Sequence, residues 1–221
     1  MIQNTTMKNA ECKELINFIF QSIAECRIPE NVDAILEQCR DRIPVSNRVD
    51  VKQFPRITFD VSKEDIRGMQ NGGILTQECV LAPDWLEHVH DPVARLLYAM
   101  AWKNGDLPKI KHIIQGVLAE DDDAPSQAFV FHQFGRHLAD KAQPIVDQHV
   151  LRAFGIHQST DEETWTSLRK MKTITEAHAH LIAEYRLWLQ SDALQASLQA
   201  APGYAWHVDQ VLFALGKTVK S

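Results

Sequence analysis

From Asp84 to the end of the chain, apolar residues recur three and four positions apart in almost every segment, a period that fits helices and excludes alternating strands. Val93, Leu96, Leu97, Met100 and Ala101 form one such stripe. Asp91-Pro92 opens it as a cap followed by proline at the first helical position, and Gly105 ends it. Pro108 opens the next segment, carrying Ile110, Ile113, Ile114 and Val117. Ser126 is expected to start a helix bearing Phe129, Phe134 and Leu138. Another begins near Asp147 and is expected to stop at Gly155. Thr160 with Glu163, and Thr173 with Glu176, have the spacing of capping boxes. Pro202-Gly203 reads as a turn, and the last helix is expected from about Tyr204 to Leu215, closed by Gly216.

The region before Asp84 is less uniform. Leu15, Ile16, Ile19 and Ile23 mark a helix over Ala10 to Cys26. Val32, Ile35, Leu36 and Cys39 mark a second, bracketed by Pro29 and Pro44. Val49 to Val51 and Ile57 to Phe59 look extended around Pro55, so a short hairpin and a loop both fit. Ser62 with Asp65 caps a short helix, and Asn71-Gly72-Gly73 breaks the chain. The sum is an all-α protein of about ten helices, read as one α-helical domain over residues 1–221. That length suits one large domain or two small helical lobes.

Composition narrows the function. Apolar residues are 45% of the chain, enough for a packed core, and the net charge is −6, which repels polyphosphate at long range. Any nucleic-acid contact therefore needs a local basic patch; Lys103, Lys109 and Lys111, and Arg169, Lys170 and Lys172, are the candidates. Met1 to Ala10 lacks a signal-peptide pattern and no apolar run would span a membrane, so a cytoplasmic protein is expected. Cys12, Cys26, Cys39 and Cys79 make no Cys-x-x-Cys pair, and the first three fall in helical apolar patterns as small hydrophobes. His88 and His90, and His178 and His180, stand two apart and face different ways on a helix; with no His-Glu-x-x-His motif, no metal or cofactor is expected.

The most informative segment is Val146-Asp147-Gln148-His149-Val150-Leu151-Arg152. A short extended link, Gln143 to Val146, delivers Asp147 to a helix start, where aspartate is favoured simply as a cap. His149 and Arg152 follow at fixed offsets. The pattern Val-Asp-x-His-Val-x-Arg resembles the signature of the helix-hairpin-helix DNA glycosylases, the superfamily of the endonuclease III, adenine-mismatch and 8-oxoguanine enzymes. The resemblance is best over Phe129 to Gly155. It implies two helical lobes with a cleft between them and a catalytic role for Asp147. Breaking the bond between base and sugar builds positive charge on the sugar, which a nearby carboxylate stabilises. It implies a structural role for His149 and Arg152, which orient the aspartate's helix. It also makes the helix carrying His132, Gln133 and Arg136 a lining of the substrate site, with Lys103 a further candidate contact. Phe213 to Lys217 and Trp102 to Asp106 resemble small prokaryotic proteins with an 8-oxoguanine-glycosylase-like fold. Some of these are encoded in antiphage operons of the CBASS type, which implies a defence-operon partner.

The chain departs from the family pattern in three places. The hairpin that usually reads Leu-Pro-Gly-Val-Gly corresponds here to Glu120-Asp-Asp-Asp-Ala-Pro125-Ser126, without a glycine pair and with four acids. Where bifunctional members carry a lysine nucleophile, this chain has Ala128 or Phe129, which excludes a Schiff-base lyase step from that position. The four-cysteine iron–sulfur motif is absent. Three readings follow: a monofunctional N-glycosylase-like enzyme acting on a modified nucleobase; a non-catalytic protein holding a nucleobase, nucleotide or protein partner; and an unrelated helical interaction protein in which Asp147 is a cap only.

Overall fold

The computed structural model describes residues 8–120 and 127–221. Among these the protein is all-α, with twelve α-helices, two 3-10 turns and no strand beyond an isolated bridge between Leu75 and Leu81. The chain divides into two compact units, residues 1–57 with 141–221, and residues 58–140.

The first unit contains α1 (Asn9–Glu25), α2 (Pro29–Gln38), α8 (Gln148–Gln158), α9 (Glu162–Lys170), α10 (Ala179–Gln190), α11 (Ala196–Gln199) and α12 (Tyr204–Thr218). Helix α8 is its axis: every residue from Val150 to Ile156 is buried, as expected for a helix surrounded on all sides. Helices α1, α9, α10 and α12 pack around it. Helix α12 comes closest because Gly216 has no Cβ; one placed there would stand 1.8 Å from the His149 carbonyl oxygen. Phe20, Phe154, Tyr185 and Trp188 form an aromatic cluster with ring centroids 5.2–6.4 Å apart.

The second unit contains α3 (Lys63–Asn71), α4 (Trp85–His88), α5 (Pro92–Asn104), α6 (Leu107–Leu118) and α7 (Phe129–Ala139). Its tightest pair is α6 with α7. A Cβ at Gly116 would lie 1.9 Å from the His132 carbonyl oxygen, and one at Gly135 1.9 Å from that of Ile113. Two glycines thus let the backbones touch. Ala128, at the start of α7, has a φ of 55°, a left-handed conformation that costs an alanine about 1 kcal/mol or more.

Many expected signals hold. The Ser62–Asp65 box caps α3, Asp91 caps α5 by accepting from the Ala94 amide at 2.8 Å, and Gly105 ends α5 at a φ of 69°. Residues 45–60 form a loop with one 3-10 turn at Val45–Asn47 rather than a hairpin. Cys12, Cys26, Cys39 and Cys79 are all buried.

Other signals shift. Helix α9 is capped by Asp161, not Thr160, and the box written at Thr173 with Glu176 forms instead between Thr175 and His178. Gly155 does not stop α8, which runs on to Gln158; it makes room for the Leu168 and Leu181 side chains. Gly216 likewise lies inside α12. The start expected at Ser126 and most of the acidic stretch fall on 121–126, outside the described residues; α7 itself begins at Phe129. The α5 stripe is the largest departure. Val93, Leu96, Leu97 and Met100 are 61–68% exposed, and α5 packs through Ala94, Tyr98 and Ala101 on another face.

Candidate functional site

The link before α8 is held from the far end of the chain. Asp209, buried on α12, accepts the Ile145 amide through Oδ2 at 2.6 Å and the Tyr185 hydroxyl through Oδ1 at 2.7 Å. Pro144 and Val146 are buried beside it, so the link is fixed by packing as well as by hydrogen bonds. Burial pushes the Asp209 carboxyl well above its ordinary value; the two hydrogen bonds oppose this, and the charge of Asp147 adds to the rise. Burial, with Asp209 alongside, also raises the Tyr185 phenol.

Asp147 follows as the N-cap of α8. Its Oδ1 accepts the His149 amide at 2.6 Å, satisfying one of the exposed donors of the first turn, while the residue itself is half-buried. One turn on, Arg152 is fully buried and donates in four directions: to the carbonyls of Leu168, Met171 and Gly216, and to Nδ1 of His149. Those carbonyls sit at the C-terminal ends of α9 and α12, where dipoles favour a cation. Because Arg152 can only donate, Nδ1 of His149 accepts, which places the imidazole proton on Nε2 of a neutral ring. Burial, Arg152, Lys220 and Lys217 all lower the His149 pKa from 6.5, and Asp147 opposes them. The ring also meets the edge of Phe213 at 5.0 Å.

Asp147, His149 and Arg152 therefore form one constellation, in the field of Lys217 and Lys220, all within the first unit. The other sequence candidates belong to the second unit. His132, Gln133 and Arg136 are 2–6% exposed on α7, and Arg136 donates to the Glu120 carbonyl. Lys103 is exposed at the end of α5. Of the basic candidates, Arg169 is buried and donates to the Val219 carbonyl at 2.8 Å and to Asn9 at 2.7 Å, so its charge fastens the chain end.

A groove of about 680 Å³ opens among α8, α9 and α10, lined by Gln158, Ser159, Thr164, Ser167, His180 and Glu184 among others. It lies at the C-terminal end of α8, and Asp147 does not line it. Among the described residues no group of three or more His, Cys, Asp and Glu is placed to hold a metal ion, and no helix is long and apolar enough to cross a membrane.

Asp209 and Tyr185 were missed in the sequence. The available signal was an acid on a helix face otherwise made of Ala205, Val208, Leu212 and Gly216. No family of known proteins matches the chain, and no curated protein or solved structure does.

Proposed function

We propose that the protein is an N-glycosylase-like enzyme of the helix-hairpin-helix type, acting on a modified nucleobase in nucleic acid, with Asp147 as its carboxylate. The observation that carries this reading is the fixed presentation of Asp147. Asp209 pins the link on one side and Arg152 locks the helix on the other, leaving the Asp147 carboxylate half-buried at a helix N-terminus. Such preorganisation suits a group that must stabilise charge as it develops. When the bond between sugar carbon and base nitrogen breaks, its electron pair leaves with the base. The carboxylate balances the cation on the sugar, and water then adds to the sugar carbon while the proton it loses ends on the nitrogen of the departed base. His149 and Arg152 support the helix and hold no substrate.

The second reading is a non-catalytic protein that holds a nucleobase, a nucleotide or a defence-operon partner. Two observations favour it: His132, Gln133 and Arg136 are buried rather than presented, and Asp147 Oδ1 is engaged by its own helix. Base release from oligonucleotides carrying modified bases separates the two. The enzyme yields abasic product that Asp147→Asn abolishes; the binding protein yields none from either and retains a bound ligand.

A further inference from the structure

We infer that Lys217 and Lys220 hold the phosphates of a nucleic-acid strand beside Asp147, anchoring the strand where the end of α12 meets the start of α8. This deepens the glycosylase reading and rests on it for the role of Asp147.

Arg152 brings the two lysines to this place. Its guanidinium donates at once to the Gly216 carbonyl, at 2.9 Å, and to the His149 ring. The last turn of α12 is therefore fixed against the first turn of α8, where Asp147 is the cap. Lys217 follows Gly216 directly. The Phe213 ring bridges the two helices, its centroid 5.0 Å from that of His149 and 5.8 Å from the Lys217 ammonium. Lys220 is held by Arg169 on both sides. The Val219 carbonyl accepts from Arg169 Nε at 2.8 Å, and the Ser221 amide donates to the Arg169 carbonyl at 3.2 Å. The charges of both lysines reach the His149 ring, where together with burial and Arg152 they lower its pKa.

Both cations are available to a ligand. Lys220 is exposed. Lys217 is half-buried and gives one hydrogen bond, to the Ser46 carbonyl at 3.0 Å, of the three an ammonium can donate. Neither is in an ion pair among the described residues. Acids elsewhere limit where a strand can run. Farther back on α12, Trp206 and Gln210 line a groove of about 430 Å³ with Glu30, Asp33 and Glu37, which repel phosphate. Residues 120–123 read Glu-Asp-Asp-Asp, and the net charge of −6 gives no long-range attraction. A strand carrying one charge per nucleotide thus finds its cations at Lys217 and Lys220, next to the carboxylate proposed to act on its sugar.

Fluorescence anisotropy with an end-labelled oligothymidylate of about fifteen nucleotides tests this. The probe carries ordinary bases only, so its binding does not depend on base release. The native chain should bind it, and Lys217→Gln/Lys220→Gln should weaken binding on the order of tenfold. The same variant should lower the slope of log affinity against log salt by about 1.4, two single-strand phosphate contacts. Lys217→Arg/Lys220→Arg keeps both charges and should restore binding, which separates lost charge from lost structure. Lys103→Gln/Lys111→Gln should change neither quantity, and thymidine 5′-monophosphate at about 1 mM should not displace the strand, whose several phosphates bind together. Three results would each overturn the inference: no binding by the native chain up to about 100 μM at low salt, unaltered binding by Lys217→Gln/Lys220→Gln, or an equal loss in Lys103→Gln/Lys111→Gln. Displacement by the monophosphate would replace the strand with a single nucleotide and overturn it as well. The glycosylase reading fails separately. Lysine-dependent binding with no base release from modified oligonucleotides keeps the rim and removes that reading, whereas base release undiminished in Lys217→Gln/Lys220→Gln keeps the reading and removes the rim.

Discussion

The Asp209 carboxylate holds the Ile145 amide at 2.6 Å, two residues ahead of Asp147. Residues 64 apart in sequence are thus joined at the point where the chain turns into α8, and Tyr185 completes the joint from α10. Removing it leaves a half-buried amide and a buried phenol without their shared acceptor. Asp209→Ala should therefore cost about 2–5 kcal/mol, read as a lower urea midpoint. Asp209→Asn, which keeps one acceptor oxygen, should cost less. An unchanged midpoint in Asp209→Ala would show that packing of Pro144 and Val146 alone fixes the link.

Arg152 should be intolerant even of lysine. Its planar fork reaches the ends of α9 and α12 at once, while an ammonium group offers one point of attachment. Arg152→Lys should lower stability by about 2 kcal/mol or more, and Arg152→Ala further, since the carbonyls of Leu168, Met171 and Gly216 lose their donors. Equal stability of native and lysine forms would contradict the fork's role.

How much of this was readable in the chain differs by element. Caps such as Ser62 with Asp65, and Asp91 with Pro92, are local devices in which side chain and backbone lie within one turn, so spacing alone reveals them. Gly155 and Gly216 were misread as helix stops because a glycine that ends a helix and one that admits a neighbour look the same in one dimension. Only their tertiary neighbours distinguish them: the Leu168 and Leu181 side chains beside Gly155, and the His149 backbone beside Gly216. The α5 stripe shows a similar limit: periodicity defines a face but not which face is covered. Asp147, His149 and Arg152 were legible because they share one helix. Asp209 was not, because its partners come from α10 and from the link before α8.

The glycine pattern gives predictions of opposite sign. Gly216→Ala would set a methyl group 1.8 Å from the His149 carbonyl oxygen, so α8 and α12 must separate at a cost of about 2 kcal/mol or more. Gly68, inside α3, has nothing within 4 Å of its missing Cβ, and Gly68→Ala should stabilise by about 0.5–1 kcal/mol. Thermal or urea unfolding of the two variants checks both signs.

His157 makes the fold sensitive to mild acid. Its ring stacks on Phe20 at 3.8 Å and 7°, and its buried Nδ1 has no hydrogen-bond partner among the described residues. Burial lowers its pKa from 6.5, as it does for His149. With the folded pKa below the unfolded one, the unfolded chain takes up the proton first. Stability is thus full above pH 6.5 and falls as the pH drops toward the lowered folded pKa. Urea midpoints measured between about pH 7.5 and 5 should show this decline, and His157→Phe should flatten part of it. A slope unaffected by that substitution would assign the sensitivity elsewhere.

The most direct test of the proposed function is base release by the purified chain from duplex and single-stranded oligonucleotides carrying a panel of modified bases, with Asp147→Asn in parallel. Asparagine keeps an oxygen for the His149 amide, so the variant should fold while losing the carboxylate charge. The account predicts abasic product from the native protein and at least a hundredfold less from Asp147→Asn, a loss of about 3 kcal/mol in barrier lowering. Equal product from both would remove Asp147 from the chemistry. No product from either folded protein would contradict the enzymatic reading and leave the binding protein in its place.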